Sequence, residues 1–528
     1  MLDLSNSPNI ERIYIANCES LEYVNLKNGA NTISPSQCNF SNCPALNYIC
    51  VDEGEEMTLI QYFTAKGEPP VSMGSYCSFV PGGDYNTIMG SFSFDFNTNG
   101  CQAEELITAP FGIHIAGGVE SGTSYSMNGN YSFYTQSGNF TVTPVVPDNL
   151  FTVTPLFATI NFANQDNNIA VQNFCLIANG MHPDVEVIVV PIVLARPGFD
   201  AVYKVIFGNK GNQILSGSVT FSYDDALLDY VSSSEAPASV SAGLLAWDYT
   251  NLKPFEYRNV MITFNVNGPM EIPSVSNDDI LTFTASITSL IGDDNLQDNN
   301  FRLDQIVVGS YDPNDITCLE GKTVSPDQIG EYLHYNINFE NTGTAAAEFI
   351  VVKNVLNEEQ FDINSMQLID ASHDVKLNII GNKAEFMFDD INLAGNGGKG
   401  NVVYRIKTHN TLVVNDNVRQ KADIFFDYNW PIITNDAITA FTVLSNDSFV
   451  KDDALKVYPN PTSSVVKLEA SVIIRCVQLY DGQGRILQTI IGTEQNSAMI
   501  DISNRASGFY FVKVFTDRGS KVEKIIKK

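Results

Sequence analysis

The sequence predicts an all-β chain of tandem sandwiches, and three observations carry that expectation. Apolar residues alternate with period two over much of the chain, as in Gly90-Ser-Phe-Ser-Phe-Asp-Phe96 and Phe509-Tyr-Phe511, which suits strands with one buried face. Turn dipeptides such as Asn128-Gly129 punctuate the apolar runs. Third, Tyr203-Lys-Val-Ile-Phe207-Gly-Asn209-Lys-Gly211 returns at an offset of 132 as Tyr335-Asn-Ile-Asn-Phe339-Glu-Asn341-Thr-Gly343. A chain of 528 residues is long enough for several domains of ordinary size. Five are expected, at residues 1–72, 73–180, 181–310, 311–446 and 447–528.

In residues 1–72, apolar pairs with one residue between them recur at Leu2/Leu4, Ile13/Ile15 and Val24/Leu26, and again at Ile49/Val51. Asn6, Asn17 and Asn28 follow the first three pairs at equivalent places, where an amide can bond backbone groups in the turns of stacked coils. Leu21-x-x-Val24-x-Leu26 and Leu46-x-x-Ile49-x-Val51 resemble the tail of a leucine-rich repeat array. The 11-residue step is half a 22-residue coil, so a short β-solenoid fragment with two strands per coil and a C-terminal cap is expected.

Residues 73–180 are rich in Gly, Asn, Ser and aromatic residues. Gly90 to Cys101, Asn128-Gly-Asn-Tyr-Ser-Phe-Tyr134 and Gly138-Asn-Phe-Thr-Val-Thr-Pro144 resemble the prealbumin-like β-sandwiches of bacterial surface proteins, in some of which a loop like that at Asp95 binds calcium. In the 132-residue repeat that follows, Tyr, Val or Ile, and Phe point to one face and Asn-x-Gly supplies the turn, so two immunoglobulin-like sandwiches result. The match continues with Val219 and Phe221 opposite Val351 and Lys353 at the same offset, and with Leu228-Asp229 opposite Phe361-Asp362 at an offset of 133. The second copy, opening on Ser310-Tyr-Asp-Pro-Asn-Asp315, resembles the uncharacterised repeat domain that commonly precedes type IX sorting domains.

The last segment contains Lys456-Val-Tyr-Pro-Asn-Pro-Thr462, Tyr480-Asp-Gly-Gln-Gly-Arg485, Gly508-Phe-Tyr-Phe-Val-Lys-Val514 and the basic end Lys521 to Lys528. Prolines on both sides of Asn460 force an extended entry, and Asp-Gly with Gln-Gly supplies a turn between apolar runs. In this order the motifs resemble the C-terminal sorting domain of type IX secretion cargo. That resemblance implies export across the outer membrane of a Gram-negative bacterium, recognition by type IX machinery, and release or tethering to surface polysaccharide. The residues it singles out are Tyr458, Pro459, Asn460, Pro461, Gly508 and Tyr510, with Lys521, Lys524, Lys527 and Lys528 as an exposed basic handle.

Charge and cysteine usage fit that destination. The chain has 60 acidic and 30 basic residues; from Lys451 onward the tail holds 8 and 12 of them, leaving a body at −34. Such a body repels phosphate backbones, so nucleic acid is excluded as a partner. Nine cysteines are too few for a disulfide scaffold, and an odd number leaves at least one thiol. Cys101 and Cys175 bracket one β-domain, Cys38, Cys43 and Cys50 crowd the end of the first, and Cys18, Cys318 and Cys476 are expected to stay single. The most apolar stretch, Val187 to Ala195, falls far short of the ~20 residues that span a bilayer. Met1-Leu-Asp-Leu-Ser lacks the basic and apolar regions of a signal peptide, so residues upstream of Met1 are expected.

Chemistry-bearing patterns are few. Gly395-Asn-Gly397-Gly-Lys-Gly400 fits a dinucleotide fingerprint but leads into Asn-Val-Val-Tyr-Arg-Ile, a strand, so it reads as a hairpin loop. The five histidines, at 114, 182, 334, 373 and 409, have no ligand spacing, and no Gly-x-Ser-x-Gly elbow occurs. One inorganic site is suggested: Asp95-x-Asn97-x-Asn99-Gly100 resembles the first half of a calcium loop, although the twelfth place is Leu106 and the nearby acids are Glu104 and Glu105. Asx-turn chemistry explains the same spacing without a metal. The leading expectation is a secreted or surface-displayed, non-enzymatic binding and adhesion protein that meets glycan or protein ligands. In that reading the leucine-rich repeat head presents a concave binding surface and three β-sandwiches stacked end to end act as a stalk; the alternatives are the non-catalytic C-terminal part of an exported hydrolase and a structural stalk without ligand.

Overall fold

The computed structural model describes every residue except 68–70, 118–120, 147–148, 443–454, 482–485, 492–494 and 517–518. The boundary expected at 446/447 and most of the turn expected before Ile486 therefore lie outside the described residues. The chain forms two compact units, Met1–Thr442 and Val443–Lys528. No described helix is long and apolar enough to cross a membrane.

The first module of the larger unit is a parallel coil. Strands Leu2–Asp3, Tyr23–Asn25, Tyr48–Cys50 and Ser72–Gly74 stack in register, Leu2 on Val24, Val24 on Ile49 and Ile49 on Met73, and a second parallel pair joins Ile13 to Cys38. The rungs thus carry two short strands per coil, and Val24, Leu26, Ile49 and Val51 form a buried column. Asn28 is fully buried and donates Nδ2 to the Ser7 carbonyl at 3.0 Å, the turn-bonding expected of a regularly placed Asn. The helix Glu56–Lys66 packs Leu59, Tyr62 and Phe63 over the end of that column. Its end is set by Gly67, at φ +65°, which donates its N–H to the carbonyls of Phe63 and Thr64. The rung Ser72–Gly74 and the Cys50–Cys77 disulfide carry this module past residue 72.

The second module is a two-sheet sandwich. Asn86–Phe94 pairs with Asn130–Thr135 and Phe174–Ala178, which in turn pairs with Phe151–Thr154; the facing sheet orders Ala158–Phe162, Gly138–Val145, Phe111–Gly117 and Gly122–Ser126. Phe92, Phe111, Tyr131 and Phe174 fill its core, and Cys101 and Cys175 are disulfide-bonded across it with Cα atoms 5.6 Å apart. Cys18, Cys318 and Cys476 are free, as are Cys38 and Cys43.

The repeat is literal at its centre. Strands Asp200–Asn209 and Tyr332–Asn341 begin and end 132 residues apart, and both lead into the same corner. Asn209 Nδ2 donates to the carbonyls of Gln213 and Leu252, while its Oδ1 accepts the Gly211 N–H at 3.0 Å; Asn341 makes the same three bonds to Ala345, Leu393 and Gly343. Beyond the corner the offset changes by one residue. The core residues answering Val219 and Phe221 are Ile350 and Val352, whereas Val351 and Lys353 lie on the opposite face. A one-residue slip in a strand exchanges its faces, which is why extending a constant offset misassigns this strand. The Gly395–Gly400 segment also differs from expectation. It crosses from Lys383–Phe388 in one sheet to Gly398–Thr408 in the other, and docks through Asn396 and Gly397 N–H groups on the Asn341–Gly343 corner.

The modules of this unit do not stack end to end. Gly122–Ser126 of the second module pairs antiparallel with Lys376–Ile380 of the fourth, Ser126 on Lys376 and Gly122 on Ile380, so one nine-stranded sheet runs through both. Tyr125 enters the fourth module's core and donates its hydroxyl to the Met366 carbonyl at 2.9 Å. The first module rests on the same neighbour: the Tyr428 ring meets Tyr23 edge-on and Tyr48 at a tilt, and Tyr76 donates to Glu385 Oε1 at 2.5 Å. The two repeats meet through the outer faces of their equivalent sheets, where Ile188, Val190 and Ile206 pack on Leu319, Ile369 and Val403. Each such side chain taken out of water contributes about 1.5–3 kcal/mol. The linear stack expected from sequence is therefore replaced by a closed arrangement, because these strands bury both faces.

Candidate functional site

The C-terminal unit is a small sandwich of two antiparallel sheets. Lys456–Tyr458, Val465–Glu469 and Ser497–Asp501 form one; Ile486–Ile491, Ile474–Tyr480, Gly508–Thr516 and Gly519–Lys527 form the other. Val466, Leu468, Val477, Leu479, Val512, Val514 and Ile525 make its core. The Pro459 and Pro461 nitrogens carry no hydrogen, so the entry strand stops at Tyr458. Asn460 restores the missing pairing with its side chain. Its Nδ2 donates to the Lys524 carbonyl at 2.5 Å and its Oδ1 accepts the Ile526 N–H at 2.9 Å, gripping the last strand at two points. Thr462 extends the grip: its N–H donates to the Ile526 carbonyl and its carbonyl accepts the Lys528 N–H, both at 2.9 Å.

The other singled-out residues divide between scaffold and surface. Tyr510 is buried and donates its hydroxyl to the Ala506 carbonyl at 2.8 Å; Gly508 begins a strand and pairs with Lys527. Tyr458 stays 40 % exposed beside the Lys467–Glu469 ion pair. The lysines are not a uniformly exposed handle. Lys527 turns inward and donates to the Ser463 carbonyl, and Lys521 reaches the Leu455 carbonyl at 3.2 Å and Glu523 at 2.9 Å. Only Lys524 and Lys528 of the four face outward, because alternation on a strand sends every second residue in. Val522 and Ile526 share that outer row, and Phe509 lies beneath the Lys524 ammonium, 3.7 Å from ring centroid to nitrogen. Val522 and Ile526 escaped the sequence reading, although their spacing between the lysines was the available signal; Phe509, read with Phe511 as turned toward the core, lies outside because Tyr510, Val512 and Val514 take the inner row.

Asp95, Asn97 and Asn99 are brought together on one loop, but their oxygens are engaged within it. Asp95 Oδ1 accepts N–H bonds from Asn97 and Asn99, each at 3.2 Å, and Oδ2 accepts that of Gly100 at 2.9 Å. Burial raises the Asp95 pKa, but the N–H donors of Gly100, Asn97 and Asn99 outweigh it and hold the carboxyl below its usual range. Asn97 Oδ1 accepts from Asn99, Asn99 Oδ1 from Gln102, and Asn97 Nδ2 donates to Glu105. The carboxylate thus closes an Asx turn, and no group of three acid, His or Cys ligands surrounds it among the described residues. As arranged, the donor set does not converge on a calcium ion.

A cleft of about 450 Å³ opens where the second, third and fourth modules meet. Phe111, Tyr257 and Tyr332 supply its aromatic walls and Asp184, Arg405 and Lys407 its charge. Burial pushes the Asp184 carboxyl up to about 7 against the pull of Lys210. Arg405 is fixed by Glu186 Oε2 at 2.7 Å and by Gln367 Oε1, so the cleft floor is rigid.

Two family models match the chain. Residues 456–528 match the secretion system C-terminal sorting domain, and residues 312–440 match a domain of unknown function, DUF7619. The chain therefore carries a type IX sorting tail, which marks it for export. No curated protein matches it. Among solved structures, the collagen adhesin of S. aureus aligns at 11 % identity over 49 % of this chain and 91 % of that one, with a TM-score of 0.19. The major pilin subunit of Bacillus cereus aligns at 9 % identity over 80 % and 96 %, also with a TM-score of 0.19. At such scores these likenesses carry no argument.

Proposed function

We propose that this chain is exported through type IX secretion and works outside the cell, released or held at the outer-membrane surface, as a non-enzymatic binding and adhesion protein. The sorting tail at residues 456–528 carries the reading. Within that tail, Asn460 fastens the entry motif to the terminal strand, and Tyr458, Phe509, Val522, Lys524, Ile526 and Lys528 form the surface offered to the secretion machinery. Surface polysaccharide is the proposed anchor. The body is the presenting part. Its parallel coil is read as leucine-rich-repeat-like, and the aromatic and charged cleft at the three-module junction suits glycan or protein ligands. The closed packing of Met1–Thr442 supports a rigid platform over an extended stalk.

Two measurements test the proposal. A chain lacking residues 456–528 is expected to stay in the periplasm of a host with the secretion system; its appearance outside would refute the export role. Full-length protein applied to glycan and extracellular-protein arrays is expected to bind a class of ligand whose signal falls tenfold or more with Tyr332→Ala and Lys407→Ala; silence on both arrays would refute the binding role.

A further inference from the structure

The face between the two repeats holds a reactive-looking triad. Lys204 directs its Nζ between Asp370 Oδ2, at 2.7 Å, and Asn401 Oδ1, at 3.1 Å. The three residues are 5 %, 6 % and 3 % exposed, and Ile206, Ile369 and Val403 of the same interface flank them in sequence. Asp370 and Asn401 are held from behind. Asn259 Nδ2 donates to Asp370 Oδ1 at 3.3 Å, Asn401 Nδ2 donates to Asn336 Oδ1 at 2.9 Å, and the Asn401 backbone N–H donates to Ser372 Oγ at 2.9 Å. Asn336 occupies the place in the second repeat that Lys204 occupies in the first, so the two equivalent strands converge on one carboxamide.

An amine pressed against a fixed amide carbonyl, with a carboxylate touching the amine and almost no water, is oriented for intramolecular amide exchange. Holding the reactants together removes the entropic part of the barrier, and the carboxylate can move protons at both ends of the reaction. We propose that Lys204 and Asn401 become joined by a side-chain isopeptide bond, with Asp370 as the proton carrier. Asp370 takes a proton from the Lys204 ammonium, and the freed lone pair attacks Asn401 Cγ, forming the new C–N bond. Asp370 returns the proton to Nδ2, the Cγ–Nδ2 bond breaks as the oxyanion re-forms the carbonyl, and the second proton of the attacking nitrogen leaves with the ammonia as ammonium. One ammonium and one primary amide become one secondary amide and one ammonium ion, with no oxidant or cofactor. The leaving ammonia has an exit, a cleft of about 380 Å³ lined by Lys204, Asn259, Ser372, Lys399 and Asn401. The bond ties together residues 197 positions apart and locks the third module to the fourth, a useful property for a protein that must stay folded outside the cell.

The experiment is mass spectrometry of the full chain, reduced and denatured, with tryptic mapping. The bond predicts an intact mass about 17 Da below that of the sequence, the loss of one ammonia. It also predicts a branched peptide joining the segment around Lys204 to residues 400–405. Lys204→Ala, Asn401→Ala and Asp370→Ala should each restore the full sequence mass, a readout that needs no folded variant. A wild-type chain at full mass with peptide 400–405 recovered unlinked would overturn the proposal. So would a loss confined to that peptide alone, which would mark cyclisation of Asn401 rather than a cross-link.

Discussion

Glu186→Gln should loosen the contact between the repeats by about 3–5 kcal/mol, the usual consequence of removing one partner from a buried ion pair. Glu186 is 3 % exposed, accepts Arg405 Nη1 at 2.7 Å and the Tyr257 hydroxyl at 2.5 Å, and has Lys210 Nζ at 3.6 Å. The amide keeps the size and one acceptor but leaves the buried guanidinium without its counter-charge. Linkage gives a similar magnitude. Burial alone would raise the Glu186 pKa, yet Arg405, Lys210 and the Tyr257 hydrogen bond hold it at about 2. A carboxyl depressed from roughly 4.5 stabilises the folded state by about 3 kcal/mol at neutral pH, and that contribution fades as the pH falls through 2. The assay is denaturant unfolding followed by Trp247, a 5 % exposed reporter inside the third module. At pH 7 the variant should unfold at clearly lower denaturant, and near pH 2 the gap to wild type should shrink by at least half. Adding Arg405→Met should recover much of the loss, since the pair removed together leaves no orphan charge. A loss below ~1 kcal/mol at pH 7, or one independent of pH, would refute the reasoning that this interface is dry.

Asp184, whose carboxyl burial raises to about 7, should produce the opposite pH trend: the folded state holds the proton better, so stability falls as pH rises from about 4 to about 7 and levels off above. The effect is roughly 1–2 kcal/mol after solvent screening and should vanish in Asp184→Asn, as judged by melting at each pH. Asn460→Ala removes both bonds to the terminal strand, so melting of the C-terminal unit should reveal a loss of about 1–3 kcal/mol, and the secreted yield should fall with it. Asp95→Ala should destabilise the second module by about 2–3 kcal/mol through three unpaired N–H groups, whereas millimolar calcium should leave the wild-type melting temperature unchanged. A calcium-dependent rise in that temperature would return a metal to the loop.

What the sequence disclosed depended on how locally each feature is determined. The Asn209 and Asn341 corners are short-range structures built from Asn-x-Gly, and they form as the repeat implies. Past them, the strand phase is set by packing against another sheet, and the single-residue slip at Ile350 left no trace in a constant alignment. The stacking of repeat on repeat was less visible still, because Lys204, Glu186 and Arg405 look like surface residues until a second sheet covers them. The unbroken apolar run Val187 to Ala195 was the available clue: continuity rather than alternation is what a strand buried on both faces requires. In the tail, the Pro-Asn-Pro motif was legible as an extended entry. That Asn460 grips Lys524 and Ile526, more than sixty residues later, is a tertiary fact.

The account rests most heavily on the tail as a sufficient export signal, and attaching residues 456–528 to a folded, neutral reporter tests this directly. With a signal peptide at its front and a host possessing type IX secretion, the reporter should accumulate in the medium or on the cell surface, and Asn460→Ala should lower that amount severalfold. A reporter that remains in the periplasm while genuine cargo of the same host is exported would contradict the account.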